Sequence, residues 1–123
     1  MPTIVIADDD KNLRSMLKQI FEVENYTVLE ADNGEKAIEY VNKNHVDLVI
    51  TDLIMPKKEG IETINELNHK YPSLPVFAMS GACMTDSKIY LEIAKKLGVV
   101  KTFLKPFDIN EMLDSVKSVI YSA

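Results

Sequence analysis

Five short runs rich in branched apolar residues alternate with five amphipathic stretches, and that alternation leaves few ways for the chain to fold. The runs are Thr3–Ala7, Thr27–Ala31, Leu48–Ile50 leading to Asp52, Val76–Met79 leading to Ser80-Gly81, and Val99–Leu104 leading to Lys105. Each is too short for a helix and apolar enough for a buried strand. Between them, apolar residues recur at helical spacing: Leu13, Met16, Leu17, Ile20 and Phe21; Ala37, Ile38 and Val41; Ile61, Ile64 and Leu67. Tyr90, Ile93, Ala94 and Leu97 mark a fourth helix, and Ile109, Met112, Leu113, Val116 and Ile120 a fifth. Local punctuation agrees, with Asp10 as an N-cap, Asp32-Asn33-Gly34 as a turn and a stop at Tyr71-Pro72. Gly98 suits a C-terminal cap, and Asp108 with Glu111 reads as a capping box. Buried strands joined by helices predict an α/β domain, a doubly wound parallel sheet covered on both faces.

Composition narrows the possible functions. A chain of 123 residues carrying net charge −5 has no basic stripe with which to neutralise phosphates, so non-specific nucleic-acid binding is not expected. No apolar run approaches the roughly 18 residues of a membrane span. The first strand begins almost at once with no charged leader before it, and a cytoplasmic setting is expected. The lone cysteine, Cys83, excludes an internal disulfide and a cysteine-built metal site. His45 and His69 lie in polar surroundings and read as surface residues.

Parallel sheets of this kind hold ligands outside the carboxyl ends of their strands, where the strand order reverses. The polar residues of interest all fall there: Asp8, Asp9 and Asp10 after strand one, Asp52 after three, Ser80 after four and Lys105 after five. Several carboxylates in one crevice repel each other and hold protons unless a cation sits among them. Oxygen donors without His or Cys suit a hard ion, Mg²⁺ above all. A hydroxyl and an ammonium facing the same space complete what a transferring phosphoryl group requires. A carboxylate can itself be the nucleophile, giving an acyl phosphate. These residues favour phosphoryl chemistry over hydride, acyl or glycosyl transfer, without saying which carboxylate is attacked.

Ile4-to-Asp9, Asp52-x-x-Met55-Pro56 with Gly60, Ser80-Gly81 and Lys105-Pro106-Phe107 run in this order along the whole chain. Together they resemble the receiver domain of two-component response regulators, in its chemotaxis-regulator-like form. The resemblance implies one receiver domain over residues 1–123, with a flavodoxin-like (βα)5 fold and strand order 2-1-3-4-5. It implies that Asp52 accepts a phosphoryl group from a phosphohistidine on a sensor histidine kinase or phosphotransfer protein. Asp9 and Asp52 would bind Mg²⁺ (or Mn²⁺ in its place) directly, Asp8 through water, and the Ile54 main-chain carbonyl would add a ligand. Lys105 would pair with the phosphoryl oxygens, a cis peptide would precede Pro106, and Ser80 would turn inward to the new phosphate. Helix four, strand five and helix five would then address an output domain or target protein, with a phosphorylation-dependent homodimer left open. Such a domain is a switch that catalyses its own phosphorylation and slow hydrolysis, not an enzyme with a diffusible product.

The chain departs from the family pattern in places. The usual switch aromatic falls on Thr102, and Phe103 points to the other face of its strand. The stretch from Ser80 to Lys105 is long, with the surplus in Ala82–Ser87. Ile54 and Ala82 offer no polar side chain to an attacking water. The alternatives fit less well. A phosphohydrolase of the haloacid-dehalogenase kind wants Asp-x-Asp-x-Thr, where this chain has Asp8-Asp9-Asp10-Lys11-Asn12. A flavodoxin-type cofactor domain wants a hydroxyl- and glycine-rich loop after strand one. A degenerate binding module would not need the full acidic, hydroxyl and lysine set.

Overall fold

A computed structural model describes residues 1–55, 60–81 and 87–121, apart from the side chains of Ser87, Lys88 and Tyr90. Pro56, the Ala82–Asp86 part of the lengthened loop with Cys83, and the Tyr90 side chain therefore lie outside the described residues. The elements alternate as β1 (Thr3–Ala7), α1 (Lys11–Val23), β2 (Thr27–Ala31), α2 (Gly34–Lys43), β3 (Leu48–Asp52), α3 (Gly60–Lys70), β4 (Val76–Gly81), α4 (Ser87–Lys96), β5 (Lys101–Lys105) and α5 (Ile109–Ile120). All four strand pairings are parallel, in the order β2-β1-β3-β4-β5. This is the expected doubly wound, flavodoxin-like sheet.

Alternate residues along the strands serve two cores. Ile4, Ile6, Leu48, Ile50, Phe77, Met79 and Phe103 meet Leu17 and Phe21 of α1 and Met112 and Val116 of α5. Val5, Ala7, Val49, Val76 and Ala78 meet Ala37, Ile38 and Val41 of α2, Ile64 and Leu67 of α3, and Ala94 of α4. Because both faces are covered, the period-two pattern vanishes and the strands read as unbroken apolar runs.

Several expectations change in detail. Met16 and Ile93 belong to their helical stripes by spacing but are 45% and 39% exposed. Their stripes are wider than the sheet can cover, so residues on the margin face water. β5 starts at Lys101 rather than Val99: Val100 donates to the Val76 carbonyl (2.9 Å), but Val99 is still in the turn that ends α4. Gly98 caps that helix as expected, at φ +92°, with Gly98 N–H donating to Lys95 O and Val99 N–H to Ala94 O. Asp10 and Asp108 cap α1 and α5. The capping box at Asp108 is only half present, because Glu111 turns to Lys101 (3.4 Å) instead of the cap N–H.

Gly60 is required by space and Gly98 by dihedral angle. A Cβ on Gly60 would overlap the Asp52 carbonyl oxygen and the Leu53 Cα, where α3 is drawn against the end of β3 by the Gly60 N–H to Leu53 O bond (3.0 Å). A Cβ on Gly98 would meet nothing, but the left-handed backbone disfavours it. Gly98→Ala should therefore cost about 1–2 kcal/mol. Gly60→Ala, which must displace main chain, should cost more, roughly 3 kcal/mol or above. Urea unfolding midpoints of the two variants check the ranking.

Candidate functional site

Strand order places the reversal between β1 and β3, and the acidic residues sit at the carboxyl ends of these two strands. Asp52 is the last residue of β3 and Asp8 the first after β1; both are buried, whereas Asp9 is exposed. Carboxylate oxygens of Asp8, Asp9 and Asp52 lie within 4.8 Å of one another. Three oxygen donors at this spacing, two buried and one open to water, fit a hard divalent cation that keeps part of its hydration shell. Mg²⁺ meets that description, and Asp8, Asp9 and Asp52 are the residues that would hold it.

Lys105, closing β5, reaches across β4 to the same point. Its Nζ donates to Asp8 Oδ2 at 2.6 Å and to Asp52 Oδ2 at 3.2 Å. The Lys105–Pro106 peptide is cis, as expected. The remaining carboxylate oxygens are also engaged: Asp8 Oδ1 accepts from Asp10 N–H (2.9 Å) and Asp52 Oδ1 from Leu53 N–H (2.8 Å). Burial, and then the charge of Asp8, push the Asp52 carboxyl above its ordinary range, while Lys105 and the Leu53 N–H pull it back only in part. For Lys105 burial acts to lower the value, but the hydrogen bond to Asp8 and the charges of Asp52 and Asp8 outweigh it and hold the ammonium above its ordinary value.

Ser80 follows on β4, 1% exposed, and its Oγ has no hydrogen-bond partner among the described residues. A buried hydroxyl left unpaired costs about 1–3 kcal/mol, so an acceptor arriving near it would be rewarded. Ile54 lies two residues past Asp52 and is half-buried. Thr102 pairs in register with Ala78 and is half-buried; Phe103 packs on the other face, 5.6 Å from Phe77 and 5.8 Å from Phe107 between ring centroids. His45 and His69 are at the surface, His45 beside Asp47 at 3.2 Å.

The site also holds two residues that no sequence signal singles out. Arg14 Nη1 donates to the Asp8 carbonyl at 2.6 Å, and its Nε lies 3.3 Å from Glu30 Oε1 on β2. An arginine in the first turns of a helix and a glutamate in a strand are ordinary surface choices, and only the fold brings them to the acidic loop.

Comparison with known proteins places this geometry. The family model for the response regulator receiver domain matches residues 4–117. The sporulation initiation phosphotransferase F of Bacillus subtilis is 33% identical over 117 residues, covering 95% of this chain and 92% of its own length. The transcriptional regulatory protein CpxR of Klebsiella pneumoniae is 32% identical over 120 residues, and there the chain spans half the length of the relative. Among solved structures, the Francisella response regulator 1452 receiver domain superposes with a TM-score of 0.86 at 29% identity, covering 98% of each chain. The response regulator protein TrrA of Thermotoga maritima, in complex with Mg²⁺-BeF, gives 0.84 at 26% identity, covering 97% of this chain and 99% of that one.

A carboxyl whose folded pKa is raised binds its proton more tightly in the folded state. The fold should therefore lose stability as pH rises from the ordinary value of 3.8 through the raised one, a loss absent in Asp52→Asn. The carboxyl ¹³C titration of Asp52 should have its midpoint above the ordinary range. Asp8→Asn should lower that midpoint and Lys105→Met raise it further; shifts in the opposite directions would contradict the assigned causes.

Proposed function

The chain belongs to the response regulator receiver domain family, and from that membership we propose that Asp52 is its phospho-acceptor, switched by a histidine kinase or phosphotransfer protein. The observation that carries the reading is the Lys105 ammonium held between the Asp8 and Asp52 carboxylates beside an open Asp9. A nucleophilic carboxylate must be ionised and its oxygen free to attack. Burial and the charge of Asp8 oppose ionisation of Asp52; the Lys105 charge and the Leu53 N–H favour it.

In the proposed reaction an Asp52 carboxylate oxygen bonds to phosphorus as the bond from phosphorus to the donor imidazole nitrogen breaks, its electron pair staying on that nitrogen. Asp9 and Asp52 would hold Mg²⁺ directly, Asp8 would help through water, and the Ile54 carbonyl would add a further ligand. When bound, Mg²⁺ supplies charge compensation for the transferring phosphoryl oxygens. Lys105 exchanges its hold on Asp52 for one on those oxygens, a short move given its 3.2 Å separation from Oδ2. The domain promotes its own phosphorylation and its own slow hydrolysis, since Ile54 brings no polar side chain to position a water.

The phosphoryl group adds close to two negative charges and strong acceptors. Ser80, buried and without a hydrogen-bond partner among the described residues, is the donor that gains most by turning toward it, and β4 carries that movement to α4. The α4, β5 and α5 surface is the proposed readout face for an output domain or separate target, in a cytoplasmic setting. With Thr102 where the family usually carries an aromatic, the readout rests on Ser80 and the backbone rather than on a ring rotation.

Incubation with acetyl phosphate and Mg²⁺ should add one phosphoryl mass to the intact protein, in a reaction lost on chelation and in Asp52→Asn. Amide shifts of Ser80 and α4 should move in the modified protein. Unaltered mass with acetyl phosphate, together with no shifts on adding beryllofluoride, would sink the phospho-acceptor reading.

A further inference from the structure

The acidic loop is tied to the sheet by its main chain as well as by its carboxylates. Asp8 N–H donates to the Ala31 carbonyl at the end of β2 (3.0 Å). Asp8 C=O accepts from Arg14 Nη1 at 2.6 Å. Arg14 is held in turn by Glu30, one residue before Ala31, with Nε to Oε1 at 3.3 Å and Lys18 Nζ 3.9 Å from the other carboxylate oxygen. The Arg14 side chain is only 13% exposed. Both polar groups of the Asp8 main chain therefore lead back to adjacent residues of β2, one directly and one through a guanidinium.

We infer that Arg14, anchored by Glu30, is a positioning residue that sets the affinity of the acidic pocket for its divalent cation. The inference rests on the Mg²⁺ reading above. The Asp8 carbonyl belongs to the peptide that joins Asp8 to Asp9, and this group is planar. Clamping its oxygen fixes the plane from which the Asp9 Cα departs. Asp9 is the exposed member of the cluster, and among the described residues no hydrogen bond holds its own carboxylate, so its placement depends on its backbone. Asp8 and Asp52 are already fixed by Lys105, Asp10 N–H and Leu53 N–H. Arg14 is suited to this task by shape: one nitrogen serves the carbonyl and another serves the glutamate, which an ammonium cannot reproduce from one point.

Charge alone predicts the opposite sign. A cation beside an acidic pocket repels Mg²⁺, so removing it should tighten binding if only its field mattered. Groups behind a metal ligand typically change affinity by about tenfold or more when removed, through orientation. The test titrates MgCl₂ into wild type, Arg14→Lys and Arg14→Met, following the Asp9 and Asp52 amide shifts, with thermal unfolding of each metal-free protein alongside. Positioning predicts Mg²⁺ affinity about tenfold weaker in Arg14→Met and clearly weaker in Arg14→Lys, with metal-free unfolding midpoints near wild type. An unchanged Arg14→Lys with a tighter Arg14→Met would assign the effect to charge and overturn the inference. Unchanged affinity in both variants, even with lowered midpoints, would leave Arg14 a purely structural residue and overturn it too. Should Arg14→Met not fold, Arg14→Lys decides alone. If wild type shows no saturable shift, the Mg²⁺ reading falls as well; if wild type binds and the variants match it, only the role of Arg14 falls.

Discussion

One ammonium holds the carboxyl edge of the sheet together. Asp8 and Asp52 are buried side by side at the ends of neighbouring strands, where like charges would repel strongly in a poorly polarisable interior. Lys105 Nζ sits between them, at 2.6 Å and 3.2 Å. It arrives from β5, separated from β3 by β4, so the contact forms only when the whole strand order is in place. The interaction is therefore a product of topology more than of local sequence. It also offsets the burial that pushes the Asp52 carboxyl toward neutrality.

The two-sided sheet gives each strand end a handedness of its own. Ser80 and Thr102 lie on the side covered by α2, α3 and α4, while Phe103 faces α1 and α5 in a ring cluster with Phe77 and Phe107. A change beginning at Ser80 is thus delivered to one layer of helices. On that layer, among its described side chains, α4 places Ala94 in the buried core and Leu91 against it, and leaves Ile89 and Ile93 exposed.

The sequence carries much of this plainly, because its strongest signals are local. Branched runs bounded by Asp, Gly and Pro mark the strands, and parallel topology then gathers Asp8, Asp9, Asp52, Ser80 and Lys105 without any distance being known. What escapes is whatever depends on the third dimension. Met16 and Ile93 obey the helical period yet face water, since periodicity cannot say how wide a face its neighbours will cover. Glu111 satisfies a capping box on paper but finds Lys101 across a strand. Arg14 and Glu30 are 16 residues apart and ordinary one by one; only the fold makes them a clamp on Asp8.

The Lys105 bridge has a consequence for how such a domain is made. In proteins whose metal is structural, binding energy is folding energy and the empty chain unfolds. Here the two buried carboxylates already share a tethered cation, and the third, Asp9, is left to water. The buried charges are thus offset by the chain itself, and on the Mg²⁺ reading proposed above folding would not have to wait for the ion. On that reading, occupancy of the pocket would be a variable set by its surroundings from moment to moment, not a condition of existence.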